Sequence, residues 1–230
     1  MKTVILIGPP GSGKGTQANL IAERFNLTHI ETSKIIEKRI MNSKKGEFIR
    51  ADGKKYSFAR EKKLWKEGIL CSPPFVVALM VEEIKELARQ GKNIVFSGSP
   101  RTLYESEKEI PVLKKLYGAN NIIVFRIKLS AKESIKRNSH RRICSLMRHS
   151  ILWSKKTEKL KICPLDGSKL ATRALDDPEV IKVRLKEFGE RTMPILDFIK
   201  REGTTIKEIN GEQSVEGVFK EIIKKSKGIL

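Results

Sequence analysis

Acidic residues are scarce: 27 Asp and Glu stand against 47 Lys and Arg, leaving a net charge of +20. That imbalance points to anionic partners, whether nucleotides, nucleic acid or a membrane surface, without choosing among them. Cysteine is scarcer still. Cys71, Cys144 and Cys163 form an odd, scattered set, which fits a reducing cytoplasm better than a disulfide framework. No uninterrupted apolar stretch reaches the ~18 residues of a membrane span. After Met1-Lys2-Thr3 the run Val4 to Ile7 is too short for a secretory signal, so a soluble, cytoplasmic protein with no membrane partner is expected. Aromatic-rich RNA-binding motifs, helix-turn-helix signatures, repeats, Gly/Ser linkers and low-complexity tracts are missing. Their absence argues against a nucleic-acid-binding module and against tethered domains. Nothing marks an extended apolar surface, and a monomer is expected.

What is present suffices for a core. With 230 residues, 39% of them apolar, the chain can build one α/β domain carrying insertions, or at most two small domains. Short β-branched runs, TVILI, NIVF, NIIVFRI and TTIKEI, lack polar alternation and read as strands covered on both faces, with helices between them; that rhythm implies a parallel sheet. Ser130 with Glu133 reads as a capping box, and Asp177 before Pro178 as a cap followed by a first-turn proline. In the helix that follows, Ile181, Leu185, Phe188, Ile195 and Ile199 fall on one apolar stripe. Two segments break the pattern: residues 32–70 carry twelve basic and five acidic side chains, and residues 137–173 carry ten and two. Their excess, seven and eight, makes up fifteen of the twenty surplus charges, and both read as surface insertions, the second loop-rich and mobile.

The strongest motif comes first in the chain, where strand Val4 to Ile7 empties into GPPGSGKGT and then a helical pattern. Strand, glycine loop and helix in that order are the context of a P-loop. Its glycines let backbone N–H groups point at phosphate oxygens, Lys14 adds a charge and the helix N-terminus adds its dipole. Gly15 stands where the general motif has Ser or Thr, and Thr16 follows one place later. A second run, IVFSGSPRTL, carries Arg101 just past a buried strand, at the end where ligands of such sheets collect.

GPPGSGKGTQA resembles the P-loop of the adenylate kinases and related nucleoside monophosphate kinases. The likeness extends over nearly the whole chain: IETSKIIEKR is similar to the family's Ile-Ser-Thr-Gly-Asp-x-Leu-Arg, SGSPRT to Asp-Gly-Phe-Pro-Arg-Thr, RNSHRR to the Arg-x-x-x-Arg-Arg at the lid entrance, and RALDDPEVIKVRL to the lid exit. The resemblance implies a P-loop NTPase-like, five-stranded parallel sheet between helices. It implies a monophosphate-binding insertion at 32–70 and a lid at 137–173. The activity implied is reversible phosphoryl transfer from ATP with Mg²⁺ to a nucleoside monophosphate, AMP by default. A kinase for another monophosphate such as GMP, or a weakly catalytic nucleotide-binding relative, is the alternative. Lys14, Arg101, Arg141, Arg173 and Arg184 are the implied catalytic residues. On the ATP side the resemblance places Gly8, Pro10, Gly11, Ser12, Gly13, Lys14, Gly15, Thr16, Arg137 and Glu208; on the acceptor side Thr32, Lys38, Arg39, Leu70, Gly98, Arg101 and Glu105.

Four positions depart from the family. Ser97 replaces an aspartate that holds water around Mg²⁺, and a hydroxyl attracts the metal less. Glu37 replaces an acceptor-phosphate arginine, which leaves Lys38 or Arg39 to substitute. Glu105 replaces a glutamine that reads adenine; a carboxylate only accepts, which matches guanine's N–H donors better, unless the side chain turns to solvent. The lid resembles the zinc-bearing form, but its pairs read Cys144-Ser145-Leu146-Met147 and Cys163-Pro164-Leu165-Asp166. Cys144, Cys163 and Asp166 are then candidate ligands, with His149 to supply the fourth. The alternative is a lid closed by apolar contacts from Ile151, Leu152 and Trp153. Cys71 is expected to pack rather than react.

Overall fold

The computed structural model describes every residue except 227 and 229. Strand β1 (Thr3–Ile7) leads into helix α1 (Lys14–Phe25), strand β2 (Thr28–Glu31) and helix α2 (Thr32–Met41). A hairpin of β3 (Phe48–Ala51) and β4 (Lys54–Ser57) turns at Asp52-Gly53, both in the left-handed region, as a two-residue hairpin loop requires. Helices α3 (Phe58–Lys66) and α4 (Pro73–Arg89) return the chain to β5 (Ile94–Ser97), followed by α5 (Leu103–Tyr117), β6 (Ile122–Lys128) and α6 (Ala131–Ser139). Residues beyond α6 form a small antiparallel sheet, β7 (Arg142–Cys144), β8 (Ser150–Ile151) and β9 (Leu170–Ala171), in the order β8-β7-β9. Helices α7 (Pro178–Glu187) and α8 (Ile195–Arg201), strand β10 (Thr205–Asn210) and helix α9 (Val215–Lys225) complete the chain.

The central sheet is parallel throughout, with five strands in the order β10-β6-β1-β5-β2. All five residues of β1 and all four of β5 are buried, because helices cover both faces there. One apolar layer packs Phe75, Met80, Ile110, Leu113, Ile195 and Ile199 against the sheet; the other packs Ala18, Ile21, Val218 and Ile222. Phe58 meets Phe75 edge to face at 5.1 Å, which ties α3 to the larger layer. Removing such a buried ring costs about 3–5 kcal/mol. No helix among the described residues is long and apolar enough to cross a membrane.

Three sequence expectations need amending. TTIKEI is an edge strand in which only Ile209 is fully buried, so it is not covered on both faces. The 178–201 stripe is not one helix: residues Phe188–Thr192 form a π turn between α7 and α8. Ile181, Ile195 and Ile199 nevertheless reach the core. The capping box at α6 is half made, since Ser130 Oγ accepts from the Glu133 N–H at 3.3 Å while the Glu133 carboxylate turns to Arg137 at 2.8 Å.

The chain steps from β1 outward to β2, returns to β5 between them, then crosses to β6 on the other side of β1. Strand order therefore reverses beside β1, and a crevice opens there outside the carboxyl ends of the strands.

Candidate active site

The crevice is a cleft of about 760 Å³. Its floor is the loop between β1 and α1, and Gly8, Pro10, Gly11, Ser12, Gly13, Lys14, Gly15 and Thr16 all line it. Gly11 has φ +73°, and a Cβ there would lie 2.5 Å from the Asn138 amide nitrogen, so glycine is required both by backbone conformation and by the close approach of α6. Ser134 Oγ donates to the Pro10 carbonyl at 2.7 Å and fastens the same helix to the loop. Lys14 Nζ curls back to the carbonyls of Gly8 (2.6 Å) and Pro9 (2.8 Å) and to Ser12 Oγ (3.3 Å).

Arg101 reaches the same cleft from just beyond β5. The Ser99–Pro100 peptide before it is cis. Thr192 Oγ1 donates to the Arg101 carbonyl at 2.8 Å, and the Arg101 N–H donates to Glu105 Oε2 at 2.7 Å. Its backbone is thus clamped from both sides. Gly98, at φ +113°, lies under the guanidinium; a Cβ there would sit 2.7 Å from Nη2.

Arg141, Arg173 and Arg184 line the cleft as well. Arg141 forks onto the buried carboxylate of Asp176, with Nε 2.9 Å from Oδ2 and Nη2 on Oδ1. Arg184 Nη1 donates to the Leu175 carbonyl at 3.0 Å. The crowding of cations is visible in their acidity. Burial holds Lys14 well below the usual lysine range, and the charges of Arg101, Arg184 and Arg141 push it lower. Burial, then Arg101, Arg141 and Arg173, pull Arg184 down to about 9. Burial likewise lowers Arg101 and Arg173. Cations held this close repel one another, and a polyanion in the cleft relieves that repulsion. Arg137 also lines the cleft, with Nε on Glu133 at 2.8 Å and Nη1 on the Gly211 carbonyl at 2.9 Å.

On the side of α2, Thr32 and Leu70 line the cleft. The Thr32 hydroxyl is buried and has no hydrogen-bond partner among the described residues, so it is a polar group awaiting one. The Leu70 N–H is held by Glu187 Oε2 at 3.1 Å. Ser97 lines the cleft too, and its Oγ lies 2.6 Å from His29 Nε2. His29 Nδ1 lies 2.6 Å from Asn19 Oδ1. With the Asn19 oxygen accepting, Nδ1 carries the ring proton and Nε2 accepts from the serine. Burial depresses the His29 pKa and favours this neutral form.

Three assigned residues are not brought here. Lys38 and Arg39 are exposed and do not line the cleft; each residue of α2 rotates by about 100°, and Arg39 lies over the Phe58 ring at 5.7 Å instead. Glu208 stands on the edge strand β10, paired with Arg126 at 2.8 Å and Lys128 at 3.4 Å, away from the cleft. Glu105 lines the cleft but is neither exposed nor free. Besides the Arg101 amide, its carboxylate accepts from Thr102 Oγ1 at 3.1 Å, closing the first turn of α5. Sequence reasoning missed His29, Asn19 and Asp176, because their partners lie 10 to 68 residues away and no local spacing marks them.

In the small sheet, Cys144, His149, Cys163 and Asp166 offer four donor atoms within 4.8 Å of one another. Cys144 Sγ lies 3.0 Å from Asp166 Oδ2 and 3.6 Å from His149 Nδ1, and Cys163 Sγ lies 3.5 Å from the same nitrogen. Met147 is largely exposed and contributes nothing. Cys71 packs in the core with its thiol pushed up to about 12, by burial first and then Glu61, and is unreactive.

Comparison with known proteins agrees with this geometry. The adenylate kinase family model matches residues 6–204. The adenylate kinase of Methanothrix thermoacetophila is 32% identical over 225 residues, covering 96% of each chain. That of Mesomycoplasma hyopneumoniae strain J is 31% identical over 225 residues, 97% of each. That of Petrotoga mobilis is 32% identical over 224 residues, 95% of this chain and 94% of its own. With the match running through the glycine loop and the arginine-lined walls alike, the chain belongs to the adenylate kinase family and is a phosphotransferase.

Proposed function

We propose that the chain transfers the γ-phosphoryl group of ATP, reversibly, to AMP. The observation that carries this reading is the convergence of Lys14, Arg101, Arg141, Arg173 and Arg184 on the cleft over one glycine loop, close enough that neighbouring cations add to burial in pressing the pKa of Lys14 and of Arg184 down. ATP phosphates lie along Gly8 to Thr16, where backbone N–H groups and the α1 dipole receive them. The AMP phosphate meets Arg101, with the free Thr32 hydroxyl at the acceptor end. One of its oxygens forms the new bond to the γ-phosphorus. The bond from that phosphorus to the β,γ-bridging oxygen breaks, and ADP leaves on both sides. The attacking oxygen is already anionic, so no protein base is needed; the cations align the two oxygens and neutralise the charge between them. Residues 137–173 act as the lid that excludes water, and 32–70 as the acceptor-binding insertion.

Mg²⁺, when bound with ATP, neutralises phosphate charge. The Thr16 and Ser97 hydroxyls in the cleft suit its oxygen-only chemistry and would hold its waters, with His29 fixing the serine. In the lid, two thiolates, an imidazole nitrogen and a carboxylate fit tetrahedral Zn²⁺, for which donor atoms stand roughly 3.3–3.8 Å apart. Zinc there would tie β7 to the loop carrying Cys163. Guanine gains no support from Glu105, since that carboxylate is committed to Arg101 and Thr102.

A coupled assay with ATP, Mg²⁺ and AMP, GMP, CMP or UMP tests the reading. Fastest turnover with AMP is expected. Preference for GMP would reassign the acceptor, and turnover with none would contradict the proposal.

A further inference from the structure

Glu37 poses a problem for an acceptor phosphate. It lines the cleft, where a carboxylate repels the incoming anion, and neither Lys38 nor Arg39 compensates, as both face away. The missing cation arrives from elsewhere. Arg148 Nη1 donates to Glu37 Oε1 at 3.1 Å, bridging positions 111 residues apart. Arg148 sits in the turn between β7 and β8 with φ +58°, a left-handed conformation that an arginine adopts at a cost. Its side chain lines the cleft, and its charge is felt at Arg173.

We infer that Arg148, carried on the lid and aimed by Glu37, is the guanidinium that grips the acceptor phosphate on this wall of the cleft. The inference rests on the acceptor site proposed above. A guanidinium has five N–H donors, and an ion pair with one carboxylate leaves others for phosphate oxygens. Glu37 is thus a positioning residue rather than an obstacle: it neutralises part of the charge of Arg148 and holds it over the acceptor. Because the cation rides on the lid, full acceptor affinity requires a closed lid, and filling the ATP site should tighten AMP binding.

The test uses the full chain, AMP as probe and saturating ATP. Arg148→Ala should raise KM for AMP about tenfold while KM for ATP stays within about twofold, the split expected when a contact to one substrate is lost. Adding Glu37→Arg to that variant puts a cation back on the same wall and should return KM for AMP to within about threefold of wild type. Unchanged KM for AMP in Arg148→Ala overturns the inference. A rise in both KM values with no rescue in the double variant also overturns it, since the ion pair would then only latch the lid. If wild type phosphorylates no monophosphate, the proposed function fails separately. Calorimetric AMP titration then decides: weaker binding by Arg148→Ala supports the inference, and equal binding overturns it.

Discussion

Gly98 and Arg101 compete for one volume, and that competition makes a single methyl group consequential. Gly98→Ala would drive a Cβ to 2.7 Å from the Arg101 guanidinium at a φ of +113°, displacing the group that the proposed function sets against the acceptor phosphate. A misplacement on the order of 1 Å costs about a hundredfold in rate. Steady-state kinetics should show that loss in kcat, with destabilisation of about 1 kcal/mol or more in urea melts. Beneath Arg101 lie two buried carboxyls. Burial raises both, and Glu109 further, because the neighbouring Glu105 charge adds to burial there and only Ser99 Oγ, at 2.8 and 2.9 Å, favours its charged form, while Glu105 has the Arg101 amide and Thr102 hydroxyl. A folded-state value raised above the unfolded one means that the stabilisation is complete below the ordinary glutamate range and is lost as pH rises through the folded value. Glu109→Gln should therefore match wild type in thermal midpoint near pH 4 and exceed it at pH 8. Parallel midpoints across that range would show that Glu109 carries no shifted proton.

Among the elements, the small sheet β8-β7-β9 has little apolar support. Its buried core is Cys144, Ile151 and Cys163, backed by Leu160 and Leu170, while Leu146, Leu152 and Trp153 are exposed. Of the three side chains of an apolar closure, Ile151 is buried while Leu152 and Trp153 are exposed, whereas a tetrahedral metal would cross-link the turn. Elemental analysis of protein purified without added metal should find about one zinc per chain, and Cys144→Ser should abolish it and lower the thermal midpoint by several degrees. Metal-free protein with the wild-type midpoint would contradict this. Legibility in the sequence also divides by element. The glycine loop and β1, β5 and β6 were readable because their signal is local: a fixed order of residue types, or an unbroken apolar run in a doubly covered strand. β2 was not, since THIE buries only Ile30 at the sheet edge. The Arg148–Glu37 and His29–Ser97 contacts join distant segments, and only the folded geometry reveals which departures from the family pattern are compensated.

At the scale of the molecule, only part of the surplus positive charge faces the cleft. Fifteen of the twenty excess charges lie in residues 32–70 and 137–173, yet of the basic side chains there only Lys34, Arg137, Arg141, Arg148 and Arg173 line the cleft, beside the clamped Arg101. The cleft thus gathers cations from distant parts of the chain, which under the proposed function act by converging on phosphate. The direct measurement is the rate of phosphoryl transfer from ATP to AMP in wild type, Lys14→Met and Arg101→Met, each checked for an unchanged far-UV circular dichroism spectrum. Loss of about a thousandfold or more in both folded variants is the predicted result. Near-wild-type transfer by either one would contradict the account.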